Sequence, residues 1–113
     1  MQPEEKDAAY LWDMLQAARE IRDFIRGKSL EDYLNDLVLQ AAIERKVEIV
    51  GEAARKVSEE FKEIHPEIPW RPIVAQRHVL AHEYGEIRQE NIWRVAALRI
   101  PELIAALEPL IPH

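Results

Sequence analysis

Residues 70–85 read WRPIVAQRHVLAHEYG, and the rest of the chain is organised around this stretch. Pro69 and Pro72 suit the first turn of a helix, where a missing backbone N–H costs nothing. Gly85 suits the left-handed position that commonly closes a helix. The sequence therefore predicts a helix that begins near Pro69 and ends at Gly85.

This predicted helix carries the densest group of chemically capable side chains in the sequence, namely Arg77, His78, His82 and Tyr84. At about 100° per residue, Arg77 shares one face of the helix with Ile73 and Leu80, which are apolar. An unpaired guanidinium on a packing face is very costly. We therefore expect Arg77 to meet an acceptor, a phosphate or a wet cleft.

Apolar residues at three- and four-residue steps predict further helices before this one. The first runs from about Glu4 to Arg26, and Gly27 ends it. A short helix follows, with Ser29 as its N-cap. Asn35 or Asp36 then starts a new helix, although one continuous kinked helix fits the pattern as well. The long element runs from about Leu37 to Ile64.

The last predicted helix extends from about Gln89 to Leu107, and Pro101 should kink it because proline removes a backbone donor. No segment has the pattern of a strand. The sequence thus predicts an all-α, up-and-down bundle of four main helices plus one short helix. We expect residues 1–113 to form a single domain, since a chain of this length hides roughly 65% of its unfolded surface in one core.

Composition narrows the function classes. With 48% hydrophobic and 32% charged residues the chain is typical of globular proteins, and the absence of cysteine excludes disulfides and thiolate metal sites. No apolar run is long enough to span a bilayer, and the N-terminus does not read as a signal peptide, so we expect a cytoplasmic protein. The net charge of −6 weakens a general nucleic-acid-binding role. Five of the ten arginines nevertheless lie in the second half, at positions 71, 77, 88, 94 and 99, where they could form a local cationic site.

Three segments together resemble a known family. Arg77, His82 and Tyr84 form an R-x4-H-x-Y pattern, which is similar to that of the HepT-like branch of the HEPN superfamily. Residues 47–54, VEIVGEAA, resemble the Ile-Gly-Glu-Ala helix of that branch, and residues 68–70, IPW, resemble the Pro-Trp start of its motif helix. The resemblance covers nearly the whole chain.

The resemblance implies a HEPN-like fold and a function. The chain would be the toxin of a toxin–antitoxin system with a minimal nucleotidyltransferase, acting as a metal-independent endoribonuclease on RNA. Arg77 and His82 would be catalytic, and His78, Glu52 and Arg71 would support the site or contact RNA. The partner antitoxin would silence the toxin by transferring AMP from ATP to Tyr84. No cofactor and no membrane are implied.

Helix geometry raises a question about this site. On one straight helix Arg77 and His82 point about 140° apart. Either the helix loosens before His82, the long Arg77 side chain curls round, or residues from two subunits combine. The resemblance implies a homodimer with motif helices facing across a cleft, which favours the third solution.

Other interpretations stay open. His78 and His82 are four apart, as in two-histidine zinc sites, although Val79 replaces the glutamate of H-E-x-x-H and a third ligand would have to come from Glu86 or His65. The chain could instead be a non-catalytic HEPN module that helps a nucleotidyltransferase bind its substrate, or a structural dimer without a ligand. His65, beside Pro66, is more typical of a turn residue than of a catalyst.

Overall fold

The structure is a computed structural model that describes residues 4–82 and 88–111, with the backbone alone for residues 77–82. Throughout these ranges the regular elements are helical, and no strand occurs among them. The helices are α1 Glu5–Ile25, α2 Leu30–Leu34, α3 Leu37–Lys56, α4 Glu59–Ile64, α5 Trp70–His82, α6 Gln89–Arg94 and α7 Ile100–Leu107. A π-helical turn, Val95–Arg99, joins α6 to α7, and a 3₁₀ turn, Glu108–Leu110, follows α7. We call residues 89–107 the C-terminal helix.

Local capping sets the first boundaries as predicted. Gly27 has a φ of 75°, a left-handed conformation that glycine adopts without steric cost, and α1 ends just before it. Ser29 Oγ accepts from Asp32 N at 3.1 Å, and Asp32 Oδ2 accepts from Ser29 N at 2.9 Å, which is a complete capping box. Asp36 caps α3 through Leu39 N at 3.0 Å. The prediction of a restart at Asp36 is confirmed, and the continuous kinked helix is excluded.

The single long helix predicted from Leu37 to Ile64 is wrong. The chain leaves the helix at Val57, whose ψ of 141° is extended, and α4 begins anew after Ser58. Ser58 Oγ accepts from Phe61 N at 3.2 Å and donates to Asp7 Oδ2 at 2.6 Å, while Ser58 N donates to Asp7 Oδ1 at 2.9 Å. The break therefore lets Ser58 cap α4 and pair with a buried carboxylate of α1.

The C-terminal helix departs from regular geometry shortly before Pro101, as the sequence predicted. The N–H of Ile100 donates to the carbonyl of Val95, so this turn is wider than an α-helical one. Proline cannot donate to the carbonyl four residues before it, and a π turn is a known way to absorb such a local conflict. The helix continues to Leu107.

Two contacts define how α1 and α3 pack. Asp7, near the start of α1, meets Ser58, just after α3, and Lys46 Nζ in α3 lies 3.1 Å from Glu20 Oε2 in α1. The two helices therefore run antiparallel. Helix α5 packs on α3, and the C-terminal helix packs on α1.

Side-chain contacts attach the C-terminal helix at both of its ends. The hydroxyl of Tyr33 in α2 donates to Gln89 Oε1 at 2.6 Å, and its ring lies 5.5 Å from that of Trp93. Burial of this hydroxyl raises the pKa of Tyr33 above its ordinary value, so it remains a donor at neutral pH. Arg19 in α1 holds Glu108 at 2.9 Å.

The core lies between these helices and is almost entirely aliphatic. Its fully buried large side chains are Leu11, Met14, Leu15, Ile21, Tyr33, Ile43, Ile68, Ile92 and Leu107. The predicted all-α bundle with four main helices is confirmed, with the correction that two short helices accompany them, α2 and α4. Within residues 4–82 and 88–111, no helix is long and apolar enough to cross a membrane.

The contact between Asp7 and Ser58 generates a stability prediction. Ser58→Ala removes the cap of α4, worth about 1 kcal/mol, and leaves Asp7 Oδ2 without its hydroxyl donor while Oδ1 keeps the Ser58 N–H, which costs about a further 1–3 kcal/mol. Ser29→Ala is the matched control, because it removes an exposed cap with no buried partner. Urea unfolding followed by circular dichroism should show a clearly larger loss of unfolding free energy for Ser58→Ala. Equal losses would contradict this role of Asp7.

Candidate functional site

Helix α5 is fixed at its first residue. The Trp70 side chain is buried, its indole Nε1 donates to the carbonyl of His65 at 2.9 Å, and its ring meets Phe61 edge to face at 6.3 Å. Ile73 N donates to Pro69 O at 3.2 Å, which closes the first turn. The start of the helix is therefore bound both to the preceding loop and to α4. The predicted start near Pro69 is confirmed.

His65 belongs to the loop before α5 and has a structural role. Its ring stacks on Phe61 at 4.5 Å, and its Nδ1 donates to Glu67 Oε2 at 2.9 Å. Hydrogen bonds from the backbone of Glu67 and from the His65 ring hold the pKa of this carboxyl below its ordinary value. Because folding lowers this pKa, the hydrogen bonds to the Glu67 carboxylate stabilise the folded state at pH values above the unfolded pKa. This stabilisation is lost as the pH falls through the folded pKa. The interpretation of His65 as a turn residue agrees with these contacts.

The backbone of α5 gives the register of three predicted site residues. Trp70 is buried, Ile73 and Val74 are half-buried, and Arg71 and Ala75 are exposed, so one side of the helix faces the core. At about 100° per residue, position 77 lies within about 40° of Ile73 and hence on this inward side, whereas position 82 lies on the opposite side. The side chains of Arg77, His78 and His82 lie outside the described residues.

The predicted end of this helix at Gly85, and Tyr84 with it, fall outside the described residues as well. So does Glu86, one of the two third ligands considered for a zinc site. Among the side chains that the structure describes, no group of three or more His, Asp or Glu could hold a metal ion.

Glu52, which the resemblance implies as a supporting residue of the site, lies half-buried on α3. Its Oε1 accepts from Arg55 Nη2 at 2.9 Å and lies 3.7 Å from Lys56 Nζ. The hydrogen bond and charge of Glu52 raise the pKa of the Arg55 guanidinium. Glu52 thus holds two cations of its own helix.

The arginines of the second half lie at the surface where their side chains are described. Arg71 is exposed in the first turn of α5, and Arg88, Arg94 and Arg99 are exposed along the C-terminal helix or just before it. Arg71 is therefore accessible to a ligand that approaches the start of α5, and its contact with RNA stays a prediction.

A cavity of about 520 Å³ opens beside α5, between α3 and the C-terminal helix. Ile73 and Gln76 of α5 line one wall, and Arg99 and Glu102 lie on the opposite rim. Sequence reasoning missed these residues, because the cavity depends on how three helices meet. The only local signal was Gln76, a polar residue one turn after Ile73. A second cavity, of about 230 Å³, lies between α1 and α3 and includes Glu48 and Glu52.

Comparison with known proteins matches residues 14–110 to the family model described as "Ribonuclease HepT-like". The chain belongs to the HepT-like ribonuclease family. The family and the enzyme class predicted from the R-x4-H-x-Y pattern are thereby confirmed, together with the HEPN-like helical fold.

Individual relatives agree with this assignment. A protein of Thermococcus cleftensis named "Probable ribonuclease HepT" is 38% identical over 101 residues, which cover 89% of this chain and 92% of the relative. A protein of Caldanaerobacter subterraneus subsp. tengcongensis named as an RNase is 38% identical over 94 residues, covering 83% of this chain and 84% of the relative. A Methanocaldococcus jannaschii protein, also named as an RNase, is 31% identical over 109 residues, covering 96% of this chain and 90% of the relative. No solved structure matches.

The anchoring of α5 generates a second prediction. Trp70→Phe keeps an aromatic ring but removes the bond to the His65 carbonyl and part of the buried volume, at a cost of about 1–3 kcal/mol. Trp12→Phe is the matched control, since Trp12 is 45% exposed and Trp70 only 8%. We expect the control to change the unfolding free energy by less than about 0.5 kcal/mol. Equal effects in chemical denaturation would show that Trp70 does not anchor the helix.

Proposed function

We propose that this HepT-like protein cleaves RNA without a metal ion and that Arg77 and His82 carry the reaction. The observation that supports this most is the placement of the motif on α5, an anchored helix of a chain that belongs to a ribonuclease family. The roles of individual residues come from the chemistry that RNA cleavage requires.

The proposed step is an attack of the ribose 2′-oxygen on the adjacent phosphorus. A base removes the 2′-hydroxyl proton, the bond from phosphorus to the 5′-oxygen breaks, and an acid protonates that leaving oxygen. The products are a 2′,3′-cyclic phosphate and a free 5′-hydroxyl. His82 has an intrinsic pKa suited to proton transfer near neutral pH. Arg77 offers a planar, permanently charged donor for the oxygens that gain charge in the transition state.

A homodimer completes the proposed site. Positions 77 and 82 lie about 140° apart around one regular helix. Backbone residues 70–82 form such a helix, so the proposal that α5 loosens before His82 receives no support from the described backbone. A second copy with its motif helix facing the first would let Arg77 of one protomer act with His82 of the other. Two-fold dimers are also the commonest assembly of soluble proteins.

The remaining residues are proposed to support this cleft. His78 follows Arg77 directly and would hold the RNA or polarise its phosphate. Arg71, exposed in the first turn of α5, would contact the RNA backbone. Glu52, which already holds Arg55 and Lys56, would orient a cation of the site.

Two other functions compete with this proposal. In one, the chain is a non-catalytic module that helps a nucleotidyltransferase bind its substrate, and its Arg77 and His82 then have no catalytic part. In the other, His78 and His82 bind zinc and a metal-bound water performs the cleavage. Metal chelation and substitution of the motif residues distinguish the metal-independent ribonuclease, the non-catalytic module and the zinc enzyme.

Arg77→Ala and His82→Ala should each lower the rate of RNA cleavage by at least about 10²-fold, because each removes a charge or proton-transfer group from the transition state. His65→Ala is the matched control, since His65 is paired with Glu67 in the loop before α5. The control should retain cleavage. Rates are measured on labelled RNA, with circular dichroism to verify folding.

Wild-type activity should persist in EDTA, and the products should carry a 2′,3′-cyclic phosphate. Activity that disappears with the chelator and returns with zinc would replace this mechanism by the His78/His82 metal site. RNA binding without any cleavage by the wild type would favour the non-catalytic module.

We further propose that the chain is the toxin of a two-component system whose antitoxin is a nucleotidyltransferase. The antitoxin would transfer AMP from ATP to Tyr84: the phenol oxygen attacks the α-phosphorus, pyrophosphate leaves, and the phenol proton passes to solvent. The AMP would fill the RNA cleft, and its phosphate would bind the Arg77 guanidinium in place of RNA. The net charge of −6 favours docking of a basic antitoxin surface.

Incubation with the cognate nucleotidyltransferase, ATP and magnesium should add AMP mass to the peptide that contains Tyr84 and stop RNA cleavage. Tyr84→Phe should remain an active ribonuclease that the antitoxin cannot silence through AMP transfer. Tyr33→Phe is the control, because the Tyr33 hydroxyl is buried against Gln89 and should not be modified. A modified residue other than Tyr84 would reject this part of the proposal.

A further inference from the structure

The cavity beside α5 has an apolar floor contributed by three helices. Its aliphatic lining comes from α3, from α5, and from the π turn and α7 of the C-terminal helix, namely Val47, Val50, Ile73, Val95, Ile100 and Leu103. A volume of about 520 Å³ falls within the roughly 300–1,000 Å³ of small-ligand pockets. A flat, largely apolar group could therefore insert its face against this floor.

Polar side chains also line the cavity among the described residues. Gln76 lies on the α5 side, and Arg99 and Glu102 lie on the side of the C-terminal helix. Arg99 Nη1 is 3.7 Å from Glu102 Oε2, and both side chains are about two-thirds exposed. A guanidinium donor thus stands next to a carboxylate acceptor, and the carboxamide of Gln76 offers one of each.

The charges of the described lining suit a neutral base better than a phosphate. Glu67 and Glu102 contribute two negative charges to the lining and Arg99 one positive charge. These charges give a phosphate no net attraction, whereas a nucleobase is neutral and carries N–H donors that carboxylates accept. Among the bases, guanine presents the O6 and N7 acceptors that arginine recognises beside the N1–H and N2–H donors that suit a carboxylate.

The position of the cavity connects it to the proposed reaction. Ile73 and Gln76 lie on the same helix as Arg77. Ile73 is about one turn before Arg77, and Gln76 directly precedes it. An RNA strand whose phosphate is held at position 77 would therefore have its neighbouring bases close to the cavity. We infer that the cavity receives a guanine base adjacent to the scissile phosphate, with Arg99 and Glu102 reading its edge and Gln76 positioned to support it.

This inference rests on the proposed ribonuclease function. Two measurements distinguish a failure of the inference from a failure of that function. The first maps cut sites in an RNA of mixed sequence. Wild type should favour guanine at one position next to the cut by about 10-fold, the discrimination expected of one good bidentate contact. Arg99→Ala and Glu102→Gln should lose that preference. Arg94→Ala is the matched control, since Arg94 is an exposed arginine of the same helix that does not line the cavity.

The second measurement does not need cleavage. In two-dimensional NMR of the His82→Ala protein, guanosine monophosphate should shift the amide signals of Ile73, Gln76 and Val95 far more than cytidine monophosphate does. Arg99→Ala should abolish the difference. Ala106→Phe, which fills the cavity from the C-terminal helix, should block both nucleotides and provides a second variant should a rim variant misfold.

The possible results distinguish the proposed function from the cavity inference. A wild-type protein that cuts no RNA contradicts the proposed function, and guanosine monophosphate binding still tests the cavity. Cleavage with a base preference that the rim variants leave unchanged, and no selective nucleotide shifts, overturns the cavity inference alone. Rim variants that lose binding to the antitoxin while keeping the same cut sites would assign the cavity to a protein partner and also overturn it.

Discussion

The packing of α5 against α3 is the constraint on which the rest of this structure depends. Trp70 fixes the first residue of α5 through its contacts with His65 and Phe61, and Ile73 and Val74 continue the buried side. This rotation of the helix places position 77 towards the bundle and position 82 away from it. The chemistry proposed for the motif therefore cannot be separated from the way the helix is held, since a rotated α5 would exchange the environments of the arginine and the histidine.

Contacts elsewhere in the bundle stabilise this packing of α5. Asp7 binds Ser58 where α3 gives way to α4, which directs the chain into the loop that precedes Trp70. Tyr33 holds Gln89 and Trp93, so the C-terminal helix begins at a defined place against α2. The cavity beside α5 exists because the π turn and α7 meet α3 and α5 without filling the space between them. The guanine site proposed for this cavity contacts a base rather than a phosphate, which is compatible with an acidic chain that acts on RNA.

Much of this fold could be predicted from local sequence signals. Gly27, Ser29 with Asp32, and Asp36 specify helix ends through backbone conformation and side-chain hydrogen bonds within a few residues, so they can be read without a tertiary structure. Ser58 also carries such a signal, because two glutamates follow it, but the apolar repeat continues from Val57 to Phe61 and conceals the break. Its partner Asp7 is remote in sequence. The cavity residues Gln76 and Arg99 could not be predicted for the same reason: their proximity is a property of the packed bundle. For Arg77, His82 and Tyr84, the motif pattern remains the basis of their proposed roles.

The central claim is that one catalytic site combines Arg77 of one protomer with His82 of another. Mixing Arg77→Ala and His82→Ala proteins after mild unfolding tests it most directly, because a heterodimer then contains one site with both native residues. An equal mixture should recover about one quarter of wild-type cleavage, since half of the dimers are mixed and each holds one intact site of two. Each variant alone should stay inactive. A mixture as inactive as its components, or full cleavage by a strictly monomeric wild-type protein, would contradict the shared site.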